Sequence, residues 1–180
     1  MRIIAGKYGG RKLTAFKANH IRPTTDRVKE AIFNQLQFDI EEANVLDLFS
    51  GTGSLTFEAL SRGANSVTAV ELNSKSIGII KKNKSLLEVG DELNLIQSDV
   101  LKFIKRNDQS FDIVLVDPPF TKKMAHDVML ALGENSSHFE SSKLFIESSS
   151  QEKIEDEYGS WKLSKRKSYG DKFLSIFEIE

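Results

Sequence analysis

At 180 residues, with 39% apolar and 28% charged side chains and only three prolines, the chain fits one globular domain with its own core. That profile excludes a disordered or collagen-like protein. The absence of cysteine excludes disulfide frameworks, thiolate metal centres and cysteine nucleophiles. No apolar run approaches the roughly 18 residues of a membrane span, and Met1 to Lys7 lacks the core of a signal peptide, so a cytoplasmic location is expected.

The formal charge of −1 hides an asymmetry. Eight basic residues lie between Met1 and Lys29 (Arg2, Lys7, Arg11, Lys12, Lys17, Arg22, Arg27, Lys29), against Asp26 alone. The other 17 basic residues face 25 acidic ones. A smaller basic cluster, Lys162, Lys165, Arg166, Lys167 and Lys172, lies near the C-terminus. Charge runs of this kind serve either as solvated surface or as phosphate contacts, which gain affinity by releasing counterions.

Residues 1 to 18 alternate loosely around Gly6, Gly9 and Gly10 and predict a short β-hairpin or extended arm. Pro23, Thr24, Thr25 and Asp26 then supply helix-start chemistry before Val28, Ile32 and Leu36, giving an amphipathic helix over about Asp26 to Phe38. Short apolar strands alternating with helices follow. Strands are predicted at Val45 to Phe49, Ser66 to Glu71, Leu93 to Gln97, Ile113 to Asp117 and Leu144 to Glu147. Helices are predicted at about Ser54 to Arg62, Ser74 to Leu87, Val100 to Arg106 and Met124 to Leu132. This alternation implies a doubly wound, Rossmann-like α/β sheet. Trp161 to Arg166 and Phe173 to Glu178 close it as an antiparallel pair around Tyr169-Gly170-Asp171. Seven strands are expected, mostly parallel, with residues 1–40 as a basic hairpin-and-helix extension on a core of residues 41–180.

Three places can carry chemistry. Asp47-Leu48-Phe49-Ser50-Gly51-Thr52-Gly53 is a glycine turn at a strand end, where the backbone lets a ligand approach and the next helix presents unpaired amides. Glu71 ends the second strand, where a carboxylate accepts ribose hydroxyls. The G-x-G-x-x-G fingerprint fails at Thr56, which weakens a dinucleotide reading. An amino-acid-bearing nucleoside such as S-adenosylmethionine fits better, with Asp47 taking its ammonium directly or through water. Asp99 reads as an acceptor for adenine's amine and as a helix N-cap, roles that do not exclude each other. Asp117-Pro118-Pro119-Phe120 follows an apolar strand. Two prolines stiffen the turn, so that the Asp117 carboxylate and Pro118 carbonyl can accept both protons of an exocyclic amine while Phe120 stacks on its base. His20, His126 and His138 lack metal-ligand spacing, and no metal is expected.

Together these segments resemble a class I S-adenosylmethionine-dependent methyltransferase acting on amino nitrogen. Met1 to Lys7, Arg22 to Glu30, Glu58 to Ala64 and Tyr169 to Asp171 narrow the resemblance, over nearly the whole chain, to the RsmD family of ribosomal RNA methyltransferases. The resemblance implies transfer of methyl to N2 of a guanine, position 966 in the usual numbering of 16S ribosomal RNA, in an assembling small subunit. It implies Asp47, Phe49, Gly51, Gly53, Glu71, Leu72, Asp99 and Val100 at the cofactor and Asp117, Pro118, Pro119 and Phe120 at the reaction. Arg2, Lys7, Arg11, Lys12, Arg22, Thr24 and Arg27 are expected at the RNA. The protein is expected to act as a monomer without a membrane partner. Methylation of adenine N6, a non-catalytic RNA-binding assembly role and an NAD oxidoreductase stay open as alternatives. Thr56, where relatives often have glycine, raises a question about the packing of the helix that follows the turn.

Overall fold

The computed structural model describes residues 1–16, 26–120 and 124–179. Its centre is one sheet built from β1 (Asn44–Leu48), β2 (Ser66–Glu71), β3 (Leu93–Gln97), β4 (Ile113–Val116), β5 (Lys143–Ser149), β6 (Glu157–Tyr158), β7 (Trp161–Tyr169) and β8 (Lys172–Glu178). The strand order is β3-β2-β1-β4-β5-β8-β7-β6. The first five in that order run parallel, and β8 enters antiparallel between β5 and β7. The described residues thus form eight strands where the sequence suggested seven. The extra one, β6, is two residues long and arises because Gly159, at φ 59°, turns the chain back so that Tyr158 pairs with Trp161. So short a strand has no periodicity to read.

The helices α1 (Asp26–Gln35), α2 (Ser54–Ser61), α3 (Ser74–Leu86), α4 (Val100–Arg106) and α5 (Ala125–Glu134) cover the sheet. Strands buried on both faces read as continuous apolar runs, as in Ile113-Val114-Leu115-Val116. Their alternating residues feed two cores. Val45, Val67, Ala69, Ile113, Leu115 and Phe145 pack on the face of the N-terminal arm, α1 and α2. Leu46, Leu48, Val70, Val114, Val116 and Ile146 pack with α4 and α5 on the other. No described helix is long and apolar enough to cross a membrane.

The N-terminal segment folds back on itself, with Ile3 N–H donating to Arg11 O at 3.0 Å and Gly10 N–H to Ile3 O at 2.9 Å. One buried carboxylate fastens it. Glu58 of α2 accepts the Ile4 and Ala5 amides at 2.8 and 3.2 Å, lies 3.4 Å from Lys29 Nζ and accepts from Arg62 Nε at 2.8 Å. Lys29, wholly buried on α1, donates its remaining bonds to Arg2 O at 2.7 Å and Ser54 Oγ at 3.4 Å. Gly6 completes the junction. At φ 82° its missing Cβ would fall 1.8 Å from Ser61 O, so only glycine fits. A second anchor joins the arm to α3, where Asn83 exchanges bonds with Thr14 N and O at 2.8 and 3.0 Å.

Breaking a buried ion pair from one side strands the other charge, at a cost of about 3–5 kcal/mol. Lys29→Met and Glu58→Met are therefore each expected to lower unfolding free energy by that order. The double variant should lose less than the sum of the two. Additive losses in urea denaturation would show that the two charges do not depend on each other.

Candidate active site

Strand alternation and common direction decide where the acids go. Asp47 pairs with Ala69 of β2 and Leu115 of β4, and Val116 pairs with Ile146 of β5. Glu71 and Asp117 therefore lie two residues beyond the partners of Asp47, and Glu147 stands level with Asp117. All four share the face of the N-terminal arm, at the carboxyl end of the parallel strands where open α/β sheets bind ligands.

The loop after β1 bends sharply, with Phe49, Gly51 and Gly53 all left-handed at φ 62°, 55° and 87°. A Cβ on Gly53 would stand 2.7 Å from the Phe57 ring, so the turn requires glycine for space as well as for φ. For Phe49 the same region costs about 1–3 kcal/mol, a strain that elsewhere gathers at ligand sites. Ser50 Oγ donates to Asp47 O and Val70 O at 3.0 and 3.1 Å and staples the loop to the sheet. Glu71 accepts the Gly51 amide at 2.8 Å on Oε2 and the Asn73 amide at 2.7 Å on Oε1, which sets its carboxylate over the loop. Beside it, the apolar side chain of Leu72 is 60% exposed. Asp99 caps α4 by accepting the Lys102 amide at 3.0 Å, and Val100 is buried behind it.

Of the two modes expected for Asp47 toward an ammonium, direct or through water, its burial bears on the direct one. Asp47 does not open to the crevice for direct contact with a ligand's ammonium, because it is 1% exposed and the Thr56 hydroxyl donates to its Oδ2 at 2.5 Å. Thr56 thus answers the packing question: it fills the space behind the loop and supplies a proton donor. Burial pushes the Asp47 carboxyl up to about 7, against the lowering effect of the Thr56 bond and with a further upward push from Asp117 and Glu71.

The turn after β4 is held by Asp117 N–H donating to Leu48 O at 3.4 Å, which ties it to the glycine loop's own strand. Asp117 is half-buried, Pro118 buried, Pro119 exposed and Phe120 half-buried. Two residues missed in the sequence flank the turn. Lys172 Nζ lies 4.0 Å from the Phe120 ring centroid and donates to Glu147 Oε2 at 2.8 Å, and both charges are almost wholly buried. The sequence places Lys172 in a basic cluster that reads as solvated surface or as phosphate contacts. The signal that could have found the pair is Glu147 itself, a carboxylate at the end of an apolar strand on the same alternation as Asp117. Arg2, Lys7, Arg11, Lys12 and Arg27 are exposed on the arm and α1, while Arg22 and Thr24 lie outside the described residues.

A parallel sheet with an antiparallel strand entering between its last two long strands, and a glycine loop, acidic strand end and Asp-Pro-Pro-Phe turn around one crevice, defines a Rossmann-like methyltransferase class. Comparisons with known proteins narrow it. The sequence profile of the family described as Conserved hypothetical protein 95 matches residues 1–178. Ribosomal RNA small subunit methyltransferase D of Haemophilus influenzae is 43% identical over 139 residues, 76% of this chain and 72% of the relative. The Escherichia coli protein of the same name is 32% identical over 180 residues, 100% of this chain and 90% of its own. The structure of the YhhF protein of Escherichia coli superposes with a TM-score of 0.89 at 32% identity, covering 100% of this chain and 98% of that one. This chain belongs to the ribosomal RNA small subunit methyltransferase D family.

Thr56→Val keeps the shape of the side chain and removes the hydroxyl. Because that bond favours the charged carboxylate, the Asp47 titration is expected to move above about 7 in the variant. Carbon-detected NMR of the carboxyl measures it, and an unmoved titration would remove the role assigned to Thr56.

Proposed function

We propose that this chain transfers a methyl group from S-adenosylmethionine to the exocyclic N2 of a guanine in 16S ribosomal RNA, guanine 966 in the usual numbering, during assembly of the small subunit. The observation that carries the proposal is the backbone hydrogen bond from Asp117 N–H to Leu48 O, the last residue of β1. It brings the Asp117-Pro118-Pro119-Phe120 turn against the strand that ends in the glycine loop. Membership in the family supports ribosomal RNA as the substrate.

The crevice suits the cofactor. The left-handed loop leaves Gly51 and Thr52 half-buried ahead of α2, Glu71 retains lone pairs for ribose hydroxyls, and Leu72 offers an apolar surface to adenine. Asp99 commits only Oδ1 to its cap among the described contacts and keeps an acceptor for adenine's amine. Asp47 answers the ammonium through the field rather than by touch. When bound, S-adenosylmethionine supplies an already activated methyl. The protein's task is therefore alignment, which contributes on the order of 7–11 kcal/mol.

An exocyclic amine is a poor nucleophile because its lone pair is delocalised into the ring. The Asp117 carboxylate and Pro118 carbonyl accept its two protons and turn the lone pair toward the methyl carbon. Phe120 receives the extruded base, a contact worth about 1–3 kcal/mol. Its ring is held by Lys172, so the stacking surface is fixed before RNA arrives. The methylated nitrogen is far more acidic than the starting amine, and Asp117 is placed to take its proton after transfer. Arg2, Lys7, Arg11, Lys12 and Arg27 contact RNA phosphates and help offset the few kcal/mol of extruding a base.

Small subunits from a strain lacking this protein are expected to gain N2-methylguanine at one mapped nucleotide on incubation with it and S-adenosylmethionine. Asp117→Ala should lower the rate at least a hundredfold while cofactor affinity holds. N6-methyladenine in the digested nucleosides, or undiminished transfer by Asp117→Ala, would overturn the assignment.

The cofactor's cation also senses Asp47. Below about pH 7 this carboxyl is mostly neutral, and above it the carboxylate attracts a cation in the crevice. Affinity for S-adenosylmethionine is expected to rise between pH 6 and pH 8, and Asp47→Asn should flatten the rise. Calorimetry at both pH values measures it, and an equal slope in the variant would assign the effect elsewhere.

A further inference from the structure

The two basic stretches, more than a hundred residues apart in sequence, meet in the fold. Tyr169 ends β7 on the face covered by the N-terminal arm and packs against that core. Arg27 Cζ of α1 lies 5.9 Å from its ring centroid and Lys167 Nζ 5.6 Å. Directly across the ladder, Tyr169 pairs with Lys172, whose ammonium sits on Phe120. The ring therefore stands one cross-strand step from the turn that is proposed to hold the target base.

Not every basic residue of the C-terminal cluster contributes. Arg166 pairs with Ser175 and is consumed on the opposite face, bonding Ser175 Oγ at 2.9 Å, Asp156 at 3.2 Å and Ile154 O at 3.1 Å. Lys172 is buried on Glu147. Lys162 stands opposite Glu157 on one side and Glu178 on the other. Lys165 and Lys167 differ. They pair with Ile176 and Leu174, so they point to the arm face, and they are exposed. Among the described residues neither forms a salt bridge. Beyond Lys162, no described strand pairs with this edge of β7.

Resting on the reading that the substrate is RNA, we propose that Lys165, Lys167 and Arg27 around Tyr169 form a groove that grips the RNA strand next to the extruded nucleotide. Lys165 and Lys167 stand about 7 Å apart along the strand. Successive phosphates of an extended strand can match that interval. Arg27 and Lys167 close on one phosphate from two sides, with Tyr169 as the floor that aims both. The occupant is thus a flexible single strand leaving the catalytic turn, and the hairpin tip joins the gripping of the backbone to the placing of the base.

The test uses the full protein and small subunits from a strain lacking it, together with RNA extracted from them. Whichever of the two the parent protein methylates serves for binding. Affinity is measured against KCl concentration at constant magnesium for the parent, for Lys165→Gln/Lys167→Gln and for Lys81→Gln/Lys82→Gln. The last makes the same charge change on α3, where both lysines are exposed. Loss of two single-strand phosphate contacts lowers the log–log salt slope by about 1.4. The β7 variant should accordingly lose about sevenfold less affinity than the parent between 50 and 200 mM KCl. Its affinity at 50 mM should be weaker, its affinity for S-adenosylmethionine unchanged and the α3 control parent-like. A parental slope in the β7 variant, or an equal fall in the α3 control, overturns the groove while leaving the methylation reading intact. A parent protein that methylates neither substrate overturns that reading, and the groove with it.

Discussion

Four parallel strands that start in register and alternate their side chains must deliver every second residue to the same face, and in this protein that constraint assembles the crevice. Asp47, Glu71, Asp117 and Glu147 come from four adjacent strands and would otherwise share nothing. Crowding like charges at one sheet edge is unfavourable, and each carboxylate is handled by a different device. Asp47 is buried and pushed toward neutrality beside Thr56, Glu71 is spread over two backbone amides, and Glu147 is neutralised by Lys172. Asp117 sits where the turn needs an acceptor. The crevice thus stays attractive to a cation and to N–H donors without the repulsion of four exposed anions.

The same face carries the N-terminal arm, and its attachment explains how the arm's basic surface is fixed beside the crevice. Glu58 lies on α2, the helix that begins at the glycine loop, and it holds two arm amides and two cations at once. Lys29 adds Ser54, the first residue of that helix. Arm, α1 and the helix that begins at the glycine loop are consequently one hydrogen-bonded unit. Desolvating these charges is costly, and what the protein obtains is a fixed relation between a basic surface and a crevice that local propensity would not enforce.

Lys172 shows how a residue's chemistry is set by what surrounds it. The other four members of the C-terminal cluster are exposed, whereas Lys172 is drawn in by Glu147 and ends on an aromatic ring. A buried ammonium over Phe120 fixes the ring plane more firmly than an apolar contact would. Tyr169, its ladder partner, gathers cations on the outer side of the same hairpin.

Periodicity, turn chemistry and strand-end motifs were enough to read five parallel strands, the five helices, the closing hairpin and the positions of Gly51, Gly53, Glu71, Asp99 and Asp117, because these depend on neighbours within a few residues. Local sequence could not tell that Asp47 would be sealed by Thr56, that Lys29 would be buried on Glu58, or that Lys172 would leave the surface. A side chain's exposure and partners are set by which distant elements pack against it. Strand order brought Glu147 to Lys172 and α1 to β7, and only contacts across the sheet decide which charges face water and which face one another.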